Sequence, residues 1–279
     1  MRINLAKSAG FCFGVKRALS IALKIFELNT QVEMLGDIVH NEEVAQQIYK
    51  AGVKKVKALR RGKNKIFLIR AHGASKKLTE RAHKLNYRVI DATCPMVKEI
   101  HKIAIGMEQK GYRIIIIGDK HHDEVRGIAG QLKTKAIVID SVKSIPLKIV
   151  SKIKKACIVL QSTQNLEHVL KIVKAINPYI KDLKFFNTIC TPTRIKQEEI
   201  RAMPKKNDVM IIIGSKTSAN TRRLYEISKS INKKSYWVQS EKDLRPVWFR
   251  GVKKVGITSG ASTPDSTTQK IIKCVKNLS

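Results

Sequence analysis

Asp91-Ala-Thr-Cys94-Pro95 follows the short apolar run Tyr87 to Ile90 and precedes an amphipathic helical pattern, so its thiol sits on a strand-to-helix turn. Two further cysteines occupy the same kind of junction. Cys12 lies in Gly10-Phe-Cys-Phe-Gly14, after the strand-like Arg2 to Ala6. Cys190 lies in Asn187-Thr-Ile-Cys-Thr-Pro192, after Leu183-Lys-Phe-Phe. Loops at strand ends are where α/β proteins place their chemistry. Each cysteine roughly opens a new third of the chain, so the pattern to explain is three thiols at three equivalent junctions.

Outward from these junctions, strands and helices alternate. Arg2 to Ala6 reads as a buried strand and Gly14 to Glu27 as a helix with one apolar face. Strand–loop–helix units follow at Val32 to Asn41, whose loop carries His40, and at Ile66 to Ser75, whose loop carries His72, with Ser75 as N-cap. After Cys94, a helix over 96–110, with Val97, Ile100, Ile103, Ala104 and Met107 inward, stops at Gly111. Strand Arg113 to Ile117 leads into His122 and Glu124. Strand Cys157 to Leu160 leads into Ser162 and Thr163, then a helix over 166–177 ended by Pro178. The last third repeats the layout, with Asp208 to Ile213 before Ser218 and Asn220, and Lys254 to Thr258 before Ser262. This is a threefold repeat of topology rather than of letters. It predicts three small α/β domains with mainly parallel sheets in a pseudo-threefold arrangement, spanning 1–94, 95–190 and 191–279.

The 279 residues are long enough for two or three domains. The formal net charge of +33, from 55 basic and 22 acidic residues, reads either as a polyanion-binding surface or as a lysine-rich composition spread over ordinary helices. The densest run, Lys54 to Lys65, has no interleaved aromatics to stack on bases, so nucleic acid is not the expected partner. Five cysteines without a Cys-x-x-Cys pair exclude a disulfide framework and a zinc ribbon. Neither a signal peptide nor a membrane-spanning apolar run is present, and the expectation is a cytoplasmic chain with reduced thiols.

If the loops at the strand ends share a centre, they deliver Cys12, Cys94, Cys190, His40, His72, His122, Glu124, Ser162, Thr163, Ser218, Asn220 and Ser262. Three thiolates suit an iron–sulfur cluster and leave one iron of a four-iron cluster open as a Lewis acid. The His, Ser and Asn donors suit a phosphate or diphosphate, and Glu124 is placed for proton delivery. Taken singly, each cysteine also reads as a small buried hydrophobe, each histidine as a cap, and each Ser or Asn as an N-cap. Cys157, inside an apolar strand, and Cys274, on a helix beside Ile271, Ile272 and Val275, are read as such hydrophobes.

The motifs Gly10-Phe-Cys-Phe-Gly-Val15, Ala71-His-Gly-Ala-Ser75, Asp91-Ala-Thr-Cys-Pro95, Asn187-Thr-Ile-Cys190, Gly214-Ser-Lys and Gly260-Ala-Ser-Thr-Pro-Asp265 resemble, in order and over essentially the whole chain, the LytB or IspH family of 4-hydroxy-3-methylbut-2-enyl diphosphate reductases. The resemblance implies a three-domain trefoil around one oxygen-sensitive [4Fe–4S] cluster per chain, held by Cys12, Cys94 and Cys190. It implies that His40, His72, His122, Ser218, Asn220 and Ser262 hold an allylic diphosphate, and that Glu124 relays protons with help from Ser162. The implied reaction is reductive dehydroxylation to isopentenyl and dimethylallyl diphosphate, the last step of the methylerythritol phosphate route. With no Gly-rich nucleotide fingerprint, electrons are expected from a separate acidic carrier such as a ferredoxin or flavodoxin. Departures from the family pattern are His122-Asp-Glu-Val-Arg-Gly127 for His-Pro-Glu-Val-Glu-Gly, Ser162 for Thr, Ala219 for Ser, and Lys196-Gln197 for Arg-Gln. Two other classes stay open: a basic RNA-associated protein with a structural metal site, and a zinc-dependent hydrolase using the same Cys and His residues.

Overall fold

Residues 1–26 and 30–278 are described by a computed structural model, and Glu27, the expected last residue of the first helix, lies outside them. The chain forms two compact units, one of Arg17–Ile38 and Ile48–Cys190, the other of Met1–Lys16, Val39–Gln47 and the chain from Thr191 onward. The described residues contain three four-stranded sheets, and every strand pairing in them is parallel.

The first unit holds two of these sheets. One is built from β2 (Gln31–Leu35), β3 (Val53–Val56), β4 (Lys65–Ile69) and β5 (Tyr87–Asp91), ordered β3-β2-β4-β5. The other is built from β6 (Arg113–Ile117), β7 (Ile137–Ile139), β8 (Lys155–Leu160) and β9 (Asp182–Phe185), ordered β7-β6-β8-β9. The second unit holds β10 (Val209–Ile213), β11 (Ser235–Val238) and β12 (Lys254–Ser259), with β1 (Arg2–Leu5) as the fourth strand, in the order β11-β10-β12-β1. The three sheets share one plan. Two central strands are flanked on one side by a strand of three or four residues and on the other by a strand that leads into a cysteine.

This plan corrects the sequence reading of the N-terminus. Arg2 to Ala6 was assigned to the first domain as a buried strand, but β1 pairs with β12, from Arg2 opposite Lys254 to Leu5 opposite Ile257. The segment Val39–Gln47, with His40, also clusters with the C-terminal residues. Such pairings are long-range, and no local periodicity encodes them. As the outer strand of its sheet β1 is only half covered, with Leu5 42% exposed.

The central strands need no alternation of polar and apolar residues because helices cover both faces. In β6, Ile115 and Ile117 pack in a cluster with Val169 and Ile172 of α7 (Leu166–Ile176). Ile114 and Ile116 face the opposite cluster, with Ile100 and Ala104 of α4 (Pro95–Gln109). β10 divides likewise, Ile211 and Ile213 to one side and Met210 and Ile212 to the other. α4 starts with Cys94 at its N-cap and Pro95 at its first position, where a missing N–H costs nothing, and the chain turns away at Gly111 with φ +81. Four of the five expected inward residues of α4 are buried; Ile103 is half-buried. Ser75 caps α3 (Lys76–Lys84) as expected, accepting from the Leu78 N–H at 3.2 Å.

β3 lies inside the basic run Lys54 to Lys65, and its exposed Lys54 and Lys55 stand on a sheet edge. Lysines there deter pairing with another chain, which accounts for part of that run without a polyanion. Among the described residues no helix is long and apolar enough to cross a membrane. Truncating a strand residue packed from both sides should be costly. Ile115→Ala is expected to lower unfolding free energy by about 2–5 kcal/mol, whereas Leu23→Ala, at a site 50% exposed, should change it by less than about 0.5 kcal/mol. Denaturant melts of the two variants check this.

Candidate active site

In the unit with two sheets, one outer strand of each sheet, β5 and β9, leads to a cysteine whose amide is tied to the neighbouring strand's loop. The Cys94 N–H donates to the Ala71 carbonyl at 2.9 Å, and the Cys190 N–H to the Ser162 carbonyl at 3.0 Å. The first tie sits next to His72 and the second on Ser162. His72 meets His122 edge to face, with ring centroids 5.5 Å apart. His122 is the N-cap of α5 (Asp123–Ala129), its Nδ1 accepting from the Glu124 N–H at 3.2 Å. That bond fixes the tautomer: the neutral ring carries its proton on Nε2, which is then a donor suited to an anion.

Glu124 is in the first turn of α5, yet its carboxylate reaches across to the loop after β8. Oε1 accepts from the Ser162 N–H at 2.6 Å and Oε2 from the Ser162 hydroxyl at 2.8 Å. The side chain is 3% exposed. Burial disfavours the charge more than the two Ser162 bonds favour it, and nearby Asp119 adds repulsion, so the carboxyl is pushed up to about 7. Gln161, fully buried, braces the same loops: its carbonyl accepts from the Asp119 N–H at 2.9 Å and its amide donates to Thr163 Oγ1 at 3.2 Å.

The other unit repeats the cysteine tie. The Cys12 N–H donates to the Ala261 carbonyl at 3.1 Å, beside Ser262, and the Ser262 hydroxyl donates to the His40 carbonyl at 3.1 Å. Gly10, with φ +93, has no room for a Cβ, which would lie 2.2 Å from Asp265 Oδ1. Its N–H donates to Ser259 Oγ at 2.6 Å. Ser218 caps α9 (Ala219–Ile231), accepting from the Thr221 N–H at 3.3 Å. Asn220, the second residue of that helix, is 4% exposed, and both ends of its amide are buried with no hydrogen-bond partner among the described residues. A buried amide left unpaired is costly, so it is the kind of group a ligand completes.

The remaining cysteines differ. Cys157 is fully buried in β8 and its thiol is pushed up to about 12 by burial alone. Cys274 packs on the core from α10 (Asp265–Asn277). Cys12, Cys94 and Cys190 are half-buried thiols.

The LytB protein family model matches residues 3–276. The chain belongs to the LytB family. Among curated relatives, the 4-hydroxy-3-methylbut-2-enyl diphosphate reductase of Aquifex aeolicus is 40% identical over 99% of this chain and 96% of its own. The enzyme of the same name from Campylobacter lari is 38% identical over 99% and 98%. A solved structure of (E)-4-hydroxy-3-methyl-but-2-enyl diphosphate reductase, described as the terminal enzyme of the non-mevalonate pathway, aligns with TM-score 0.73 at 38% identity, covering 99% of this chain and all of that one. The Plasmodium falciparum reductase structure aligns with TM-score 0.88 at 29% identity, over 98% and 87%.

Within this LytB chain, two braces of the cysteine loops were not legible as site residues. Lys196, on α8 (Thr191–Ala202), is 3% exposed and donates its ammonium to the carbonyls of Gly10 and Ser259, each at 3.1 Å, and to that of Ser8. Glu199, one turn on, accepts from the Lys7 N–H at 2.6 Å and from the Ser8 N–H and hydroxyl. In the sequence Lys196 stands only as a departure from a family Arg, and a Lys and a Glu three apart ordinarily mark a solvated helix face.

The raised Glu124 has a consequence for stability. Because its folded pKa lies above the unfolded value of about 4.5, the neutral form is favoured in the fold. That contribution is full below about 4.5 and is lost as pH rises through about 7. Wild-type stability should therefore fall relative to Glu124→Gln between those limits, by at most about 1.4 kcal/mol per pH unit. Parallel urea melts from pH 4.5 to 8 measure it; parallel curves would show that Glu124 ionises freely.

Proposed function

We propose that this chain reduces 4-hydroxy-3-methylbut-2-enyl diphosphate to isopentenyl and dimethylallyl diphosphate, the closing reaction of the methylerythritol phosphate route. The observation that carries the reading is the buried Glu124 carboxyl, held by both donors of Ser162 on a helix whose N-cap is a histidine. A carboxyl still about half protonated near pH 7 is wasteful as a structural group and useful as a proton source.

The donor chemistry fits an iron–sulfur cluster. Three half-buried thiols stand at equivalent strand ends with their amides fixed, and the two cysteines outside those junctions are packed into cores. Cys12, Cys94 and Cys190 would hold a [4Fe–4S] cluster with one iron free of protein ligands. When bound, that group supplies single electrons and a Lewis acid for the substrate hydroxyl.

The rest of the chemistry belongs to the side chains. The reaction takes up two electrons and two protons and releases the hydroxyl as water. His122 Nε2–H, with His40, His72, Ser218, Asn220 and Ser262, binds the diphosphate. Asn220 gains through it the partners its buried amide lacks. Glu124 in its neutral form donates to Ser162 Oγ, reversing the bond the ionised form accepts, so the hydroxyl passes a proton toward the departing oxygen. Ser162 in place of Thr retains this relay. An acidic one-electron carrier of ferredoxin or flavodoxin type is the matching partner for a chain of net charge +33, in the cytoplasm.

Anaerobically purified protein should be brown and contain iron; colourless protein with stoichiometric zinc would favour a hydrolase instead. Cys12→Ser, Cys94→Ser and Cys190→Ser should each lose iron, because an alkoxide is a poorer iron ligand than a thiolate, while Cys157→Ala should keep it. Glu124→Gln should retain substrate affinity and lose turnover by about 10²–10⁴. Wild-type turnover in that variant would refute the proton relay.

A further inference from the structure

Arg70 stands two residues before His72, and Asp123 immediately follows His122. Their side chains form an ion pair, Nη1 to Oδ2 at 2.7 Å, that joins the loop after β4 to the start of α5. The two loops are already pressed together. A Cβ on Gly127 of α5 would lie 3.2 Å from the His72 carbonyl oxygen, and one on Gly130 would lie 2.3 Å from Ser75 Cβ. The Lys76 N–H donates to the Gly130 carbonyl at 3.0 Å, and the Gln131 side chain donates to the Ala74 carbonyl at 2.5 Å. Those contacts fix the far end of α5. A cavity of about 180 Å³, lined by Arg70, Gly73, Ser75, Leu78, Asp123 and Gly127, lies between the loop after β4 and α5, and the paired side chains form part of its wall. Arg70 is itself held in place: a Cβ on Gly36, φ +77, would lie 2.4 Å from its Nη1.

We propose that the Arg70–Asp123 pair is a positioning latch that sets His72 and His122 at the separation a diphosphate requires. The proposal rests on the reading of these histidines as diphosphate ligands. The pair is half-buried, with side chains 17% and 26% accessible, and it bridges two loops whose strands are held by their own ladders and cores. Orientation is what it supplies: Glu124 and Val125 anchor the first turn of α5 to the loop after β8 and to the core, and the ion pair ties that same turn to the loop that carries His72. Arg70 and Asp123 therefore act through the histidines, without touching the ligand.

The test exploits opposite signs. If Asp123 were merely a negative charge near an anion site, Asp123→Asn would tighten diphosphate binding and Arg70→Met would weaken it. A latch predicts that both weaken it, by about 5- to 10-fold, and that the double variant is no weaker than either single one. Binding of inorganic diphosphate to the cluster-loaded full chain is measured anaerobically by calorimetry, with KM and kcat for the allylic diphosphate alongside and His72→Ala as control. KM should rise with kcat within about twofold, while the thermal midpoint moves little. If Asp123→Asn binds diphosphate as well as or better than wild type while His72→Ala binds poorly, the latch is overturned and the diphosphate reading stands. If His72→Ala binds normally, both fall. Additive losses in the double variant would also overturn the latch, by showing that the two residues act separately.

Discussion

One backbone hydrogen bond recurs in all three sheets: the amide of the cysteine after the outer strand donates to a carbonyl in the loop of the strand beside it. Cys12 pairs with Ala261, Cys94 with Ala71 and Cys190 with Ser162. For Cys94 the bond continues the ladder directly, since the Ala92 N–H donates to the Ile69 carbonyl one step before it; Cys12 and Cys190 lie further past β1 and β9. In each case it couples the place of the thiol to a loop that also carries His72, Ser162 or Ser262 as, or next to, its partner. Loops placed in this way keep their geometry while their side chains remain available for chemistry.

The second constraint is electrostatic. Glu124 is buried beside a serine and a histidine N-cap, with no cation among the causes that shift it. Lys196 is buried in the reverse sense, its ammonium paid for by three carbonyls and its pKa lowered to about 8 by burial. Both lie close to the cysteine ties, one behind Cys190 through Ser162 and one beneath the Cys12 loop. The cost of desolvating each charge is tolerated where fixed dipoles can be aimed at a nearby loop.

Much of this was legible in the sequence, and the rest was hidden for identifiable reasons. Central strands such as Arg113 to Ile117 are apolar runs ending in loops with chemistry-bearing side chains, and they read correctly. β3, β7 and β11 did not register, because three or four residues are too few for a periodicity and Val53-Lys-Lys-Val56 reads as a charged loop. All three occupy the same outer place in their sheets. The sheet that β1 joins was invisible, since pairing across the full length of the chain leaves no local mark. Asp123 was noted only as a departure from a family Pro; its ion pair with Arg70 depends on two strands' loops meeting. Cys12, Cys94 and Cys190 stand apart from Cys157 and Cys274 by their junctions alone; burial separates only Cys157, since Cys274 is as half-buried as the three.

The placement of β1 beside β12 bears on how the chain is made. During synthesis Arg2 is made long before its ladder partner Lys254. The third sheet therefore waits for β12, while the two sheets of the other unit can close earlier from strands near one another in sequence. Cys12 receives its fixed amide only when Ala261 arrives, so a truncated or stalled product carries a thiol that is present but unplaced. Placement of the Cys12 loop is in this way held back until the chain around Ala261 has been made.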